Sequence, residues 1–210
     1  MPNLPISQLP TASALTGPEL FAVVQGGVTK QTTFNSIYTG LTGSFVSSST
    51  FNNYTNSVQS YYLSAYHTAS IPLSTANTTY SMSYSTTDFA SGISISGSDK
   101  SKIKIDHAGV YDIQFSAQLD KTNSSNAKNY IWLAKNGVNV PESTTAIVLF
   151  GGSNEETLAA WNFYVSASAG DYYQLLITST NNNTLIQYDP SPSGSIPAIP
   201  SIILTVGRIA

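Results

Sequence analysis

Two histidines, His67 and His107, are the only imidazoles in the 210 residues, and there is no cysteine. A transition-metal site needs imidazole or thiolate donors at fixed spacing, and neither His-x-x-x-His nor HExxH occurs. Disulfides and thiolate chemistry are excluded outright. Each histidine stands alone, His107 in a turn just before Gly109, so neither is expected to catalyse a reaction. Serine is abundant, yet no Gly-x-Ser-x-Gly elbow lifts one out as a nucleophile. Adjacent carboxylates occur once, at Glu155-Glu156. Paired carboxylates can hydrolyse glycosides, but these two follow a Gly-Gly-Ser-Asn run and read as a solvated loop. Asp88, Asp99 and Asp189 could each lend an oxygen to calcium in a loop, without the spacing of an EF-hand. No Walker A or dinucleotide glycine pattern is present. The expectation is a non-enzyme with no cofactor.

Residues this poor in chemistry must be positioned for something else, and the composition says what kind of element carries them. Charged residues make up 9% of the chain, against about a quarter in an average globular domain. Helix surfaces are built from Lys, Glu and Arg; here Ser, Thr, Asn and Gly take their place, and aromatics reach 11% with 13 tyrosines. That composition predicts strands. The net charge is −3, and the lone basic cluster, Lys100, Lys102 and Lys104, is flanked by Asp99 and Asp106, which argues against a nucleic-acid partner. No apolar run reaches membrane-span length, so membrane insertion is not expected.

From about Thr78 the chain reads as one all-β domain of roughly eight to ten strands. Tyr80–Tyr84, Ile93–Ser96 and Lys102–Ile105 alternate, the last with lysine outward. Gly109–Leu119 is the cleanest period-two stretch, with Tyr111, Ile113, Phe115, Ala117 and Leu119 on its apolar face. Further strands are predicted at Tyr130–Ala134, Ala146–Phe150, Leu158–Val165, Tyr172–Thr178, Thr184–Tyr188 and Ile202–Ile209. Asn136-Gly137 is a strong hairpin turn. The last strand is nearly all apolar, which predicts burial on both faces. Two loops are candidates for receptor contact: Tyr188-Asp189-Pro190, stiffened by proline, and the more polar Asp120–Lys128.

The front of the chain is organised differently. Leu20–Gln25 is apolar and β-branched, Gly26-Gly27 can take the positive φ of a two-residue turn, and Val28–Thr33 returns. A two-stranded hairpin is marginal alone in water, so this one calls for a partner surface, whether its trimer mates, a larger particle or the chain's own C-terminal domain. Tyr38 to about Thr50 reads as a polar connector. Phe51, Val58 and Ala65 lie seven apart, with Tyr54 and Tyr61 interleaved, which predicts a short helical neck; the alternative is that these aromatics belong to a strand, or to a helix lying on the β domain. The division is residues 1–43, 44–75 (connector and neck) and 76–210 (head).

Two resemblances sharpen this. Ile6-Ser7-Gln8-Leu9-Pro10, Leu15-Thr16-Gly17, Glu19-Leu20 and Val23-Val24-Gln25 to Val28-Thr29 resemble the N-terminal attachment segment of bacteriophage tail and head fibres. That resemblance implies a virion anchor carried by Ile6, Leu9, Pro10, Leu20, Phe21, Val23, Val24 and Val28. Residues Ala108-Gly109-Val110-Tyr111-Asp112-Ile113-Gln114-Phe115-Ser116, Leu133-Ala134-Lys135-Asn136-Gly137 and Gly170-Asp171 to Leu175 resemble the jelly roll of the tumour-necrosis-factor and complement type. It implies a homotrimer. The expected trimer contacts are Phe51, Tyr54, Val58 and Tyr61 in the neck and Ile202, Leu204 and Val206 in the core. Together the readings imply a capsid decoration or head fibre on the virion surface, docked on the major capsid protein. The alternatives are a tail fibre on tail or baseplate proteins with loops contacting a host surface glycan, a secreted complement-like lectin, and a depolymerase.

Overall fold

The computed structural model describes residues 18, 20–42, 59–152, 154–191 and 193–210. The chain divides into two units, Met1–Gln59 and Ser60–Ala210.

In the first unit β1 (Leu20–Gln25) pairs antiparallel with β2 (Val28–Thr33), Leu20 opposite Thr33 and Gln25 opposite Val28. Gly26 and Gly27 both have positive φ, 62° and 76°, as the expected two-residue turn requires. β2 runs straight into α1 (Phe34–Thr42), a helix within the residues read as anchor and connector. Thr33 explains its start: its Oγ1 accepts a hydrogen bond from the Ser36 backbone N–H at 3.1 Å, a helix N-cap. Phe34 and Tyr38, one turn apart, stack at 6.1 Å.

The second unit is nearly all strand. In chain order it holds β3 (Tyr62–His67), β4 (Ile71–Leu73), β5 (Tyr80–Ser81), β6 (Thr86–Ser91), β7 (Ile93–Ser96), β8 (Lys102–Ile105) and β9 (Gly109–Lys121). Then come β10 (Ala127–Lys135), β11 (Val138–Asn139), β12 (Thr145–Leu149), β13 (Glu155–Ala167), β14 (Tyr172–Ser179), β15 (Thr184–Ile186) and β16 (Ile202–Arg208). They form two seven-stranded sheets. In the first, β13 runs along one whole edge of β9; β16 and β15 share the other edge, and β3 and β6 follow β16. The second has β7-β8-β14-β10 with β12 beyond. The backbone order is thus β3-β16-β9-β13 in one sheet and β8-β14-β10-β12 in the other, with the first strand beside the last. That is a jelly roll.

One apolar cluster fills the space between the sheets. Leu63, Ala65, Ile113, Phe115 and Leu204 of the first sheet meet Ile131, Leu133, Leu175 and Ile177 of the second. The expected apolar face of β9 is its buried face: Tyr111, Ile113, Phe115, Ala117 and Leu119 are all 5% exposed or less. Ile113, Phe115 and Leu119 each contribute about 1.5–3 kcal/mol by leaving water.

Several expectations are corrected here. The head begins near Ser60, because β3 and β4 occupy part of the stretch read as connector and neck. Tyr61 is no neck residue: it is 2% exposed in the sandwich, stacked on His107 at 4.1 Å, with the Arg208 guanidinium 5.5 Å from its ring centre. β16 is not buried on both faces; burial alternates along it. Tyr80–Tyr84 keeps only two residues of strand, and β6 was not foreseen.

Candidate functional site

The candidate catalytic residues turn out to have structural settings. His107 packs flat on Tyr61, and its carbonyl accepts the Tyr111 hydroxyl at 2.7 Å. Burial lowers the pKa of His67, whose Nδ1 has no partner and whose carbonyl receives the Ser201 backbone N–H. Glu155 and Glu156 are not a solvated loop. They open β13, and Glu155 lies 3.8 Å from the Nζ of Lys121, a lysine wholly buried among the strands. Asp99 accepts hydrogen bonds from the Ser101 backbone and hydroxyl, holding a turn. Asp88 is exposed and accepts the Ser64 hydroxyl at 3.3 Å. Among the described residues no three histidine, cysteine or carboxylate side chains already converge as a metal centre would need.

What the sandwich does present is an open surface. Alternation puts the other side chains of β3, β16, β9 and β13 on the outer face of the first sheet. Register sets them in rows. Tyr62, Gly207, Asp112 and Tyr164 form one; Phe89, Ser64, Thr205, Gln114 and Asn162 the next; then come Tyr66, Ile203, Ser116 and Ala160. Tyr164, Phe89, Leu158, Tyr62 and Ile203 are all exposed here, between 42% and 67%. Tyr62 meets Phe89 edge-on at 5.8 Å. Shallow depressions follow the rows, one lined by Asp112, Gln114, Asn162 and Tyr164, another by Gln114, Ser116, Ile203 and Thr205. No lysine or arginine stands in these rows.

The expected trimer-core residues are corrected by this geometry. Ile202, Leu204 and Val206 are completely buried in the chain's own sandwich, so an intersubunit contact on β16 falls to Ile203 and Thr205. The period-two signal placed Leu204 on an apolar face but not which apolar face. Phe51, Tyr54 and Val58 lie outside the described residues, as do Ile6, Leu9 and Pro10.

The described anchor residues sit in the hairpin. Leu20, Val24 and Val28 are 63%, 74% and 58% exposed, and Tyr38 and Leu41 of α1 are exposed as well. Phe21 and Val23 are half-buried.

The Tyr188 loop, read as stiffened by proline, is closed at its base by backbone pairing. Asp189 and Ile199 exchange backbone hydrogen bonds at 3.1 and 2.8 Å, closing its base, and Tyr188 is held by its N–H on Ser70 Oγ. Tyr188 and Asp189 are half-buried; Pro190 is exposed. The second loop is shorter than expected, since β9 runs on to Lys121 and β10 starts at Ala127. Asn123 of this loop bonds side chain to side chain with Asn181 in the turn between β14 and β15. Beside the Tyr188 loop is a recess of about 40 Å³ lined by Gln118, Asp120, Glu156, Gln187, Asp189 and Ile199.

No family model matches the chain, and no curated protein matches it. Among solved structures, it is similar to crystal structures of murine APRIL at pH 8.5 and pH 5.0. Each likeness covers 72% of this chain and 100% of the other, at 10% and 9% identity and TM-scores of 0.42 and 0.44. A likeness at that level carries no argument. The jelly-roll class rests on the strand order above.

Proposed function

We propose that this chain is a non-enzymatic bacteriophage virion protein, a trimeric capsid decoration or head fibre held to the particle by its N-terminal segment. The observation that carries the reading is the hairpin with its short helix. That piece leaves Leu20, Val24, Val28, Tyr38 and Leu41 in water, and a hairpin of this size buries too little to be stable without a surface to dock on. Its residues are those of the attachment-segment resemblance. Self-association into a trimer follows the jelly-roll resemblance and is supported by the open outer face of the first sheet, whose exposed aromatics and Ile203 carry no basic charge to oppose a close approach.

A tail-fibre role is the second reading, favoured by the Pro190 loop, which projects exposed residues from a firmly closed base. The deciding experiment is the copy number per particle, by quantitative mass spectrometry of purified virions against the major capsid protein. Hundreds of copies are expected. A dozen or two moves the protein to the tail, and its absence from particles ends both readings. A chain lacking Met1–Thr33 is expected to stay soluble and to lose particle attachment in co-sedimentation. Retained attachment would place the anchor elsewhere.

A further inference from the structure

Asp120 is the least expected carboxylate in the fold. It points to the outer side of β9, yet it is 5% exposed, and its Oδ1 has no hydrogen-bond partner. Glu156 stands directly opposite it on β13. The Tyr188 loop brings Asp189 and Gln187 to the same recess, and Gln118 lies two residues back along β9. Three carboxylates and two amides thus line a space with room for one or two water-sized groups. No lysine or arginine is among the lining residues, and Lys121 next in sequence is turned to the other side, where it bonds the Ser125 carbonyl. Burial without a compensating positive charge pushes the Asp120 carboxyl upward. The Lys121 backbone N–H offsets part of that burial, but a buried carboxylate oxygen left without a partner, as Oδ1 is, remains costly.

We propose that this recess is a calcium-class cation site, with Asp120 as its buried anchor and Glu156 and Asp189 closing onto the ion from the rim. The donor set is all oxygen, which suits a hard cation and excludes zinc or copper. As placed in the structure, the three carboxylates form no metal-holding group, so binding requires Glu156 and Asp189 to rotate inward and water to complete the sphere. Calcium tolerates that, with six to eight flexible ligands, whereas magnesium demands a strict octahedron. Since Asp189 belongs to the loop and Asp120 and Glu156 to the sheet, the ion staples the loop base to the sandwich. The site stands independently of any virion role.

The test uses the full chain after chelation, titrated with calcium by calorimetry and melted with and without it. Melting is expected to rise by about 5–10 °C at a hundredfold excess over Kd, with magnesium giving much less. Asp120→Asn keeps the shape and is expected to abolish the rise, while melting at or above the calcium-free parent because a buried charge is gone. Asp189→Asn, half-exposed and safe for folding, is expected to weaken binding at least tenfold. No heat and no shift up to about 10 mM calcium, ten times the weakest usual sites, would overturn the site. So would calcium binding that survives both substitutions.

Discussion

At the scale of single residues, the side chains that attract a chemist's eye turn out to hold turns and strand ends together. Asp171 shows this best. Its carboxylate takes the Lys135 ammonium at 2.8 Å, the Asn136 amide at 2.8 Å and the Ser168 N–H at 2.7 Å, tying the Asn136-Gly137 hairpin to the turn before β14. These partners, Lys135 first, hold its pKa at about 2. The folded pKa lies below the unfolded value, so this stability is fully present above about pH 4 and is lost as pH falls toward 2. We expect Asp171→Asn to cost about 1–2 kcal/mol at pH 7 and to flatten the acid side of a Tm-against-pH curve. An unchanged curve would mean the network is ornamental. Gly92 has a φ of 64°, and a Cβ there would run into the Tyr61 ring. Gly92→Ala is therefore expected to lower stability by about 2–3 kcal/mol in urea unfolding, more than a surface substitution would. The sequence marked Gly109 and Gly170-Asp171 as turn residues, because turn chemistry is local. It could not show the Tyr61–His107 stack or the pocket around Asp120, since both join residues distant in the chain.

Elements were legible where one face was uniformly apolar. β9 was read almost to its ends, and β7, β8, β10, β12, β13 and β14 to within a few residues, because each alternates against the same core. β6, Thr-Thr-Asp-Phe-Ala-Ser, was missed; it is an edge strand exposed along most of its length and so has no apolar face to betray it. α1 was missed although Thr33 and the Phe34–Tyr38 pair were there to be seen, because the glycine at position 40 suggested a connector. β16 was placed correctly but oriented wrongly. Its isoleucine pair, Ile202 and Ile203, makes both faces look alike, and only the partner strands decide between them. This sets up a contrast on adjacent residues. Leu204→Asp buries an unpaired charge in the sandwich and is expected to abolish folding of the head, read by loss of the cooperative melt. Ile203→Arg lies on the open face; it is expected to leave the melt of the individual head within about 0.5 kcal/mol and to shift the species in light scattering from trimer to monomer. A trimer that survives Ile203→Arg and Tyr164→Lys together would put the intersubunit contact on another surface.

For the whole molecule, the sequence predicts three parts, 1–43, 44–75 and 76–210, whereas the structure divides the chain into two units with the boundary at Ser60. The head has its own closed core, so residues 60–210 expressed alone are expected to melt cooperatively. Its chain path has a further consequence. The strand that opens the sandwich lies against the strand that ends it, the Arg208 N–H reaching the Tyr61 carbonyl at 2.9 Å, while the Asp189–Ile199 pairing pins shut a long surface excursion. The jelly roll is therefore nearly a ring, and its starting point is arbitrary. A few glycines could join residue 210 to residue 60 and a new opening be cut within the exposed residues 193–198, giving a circular permutant with every strand of both sheets intact.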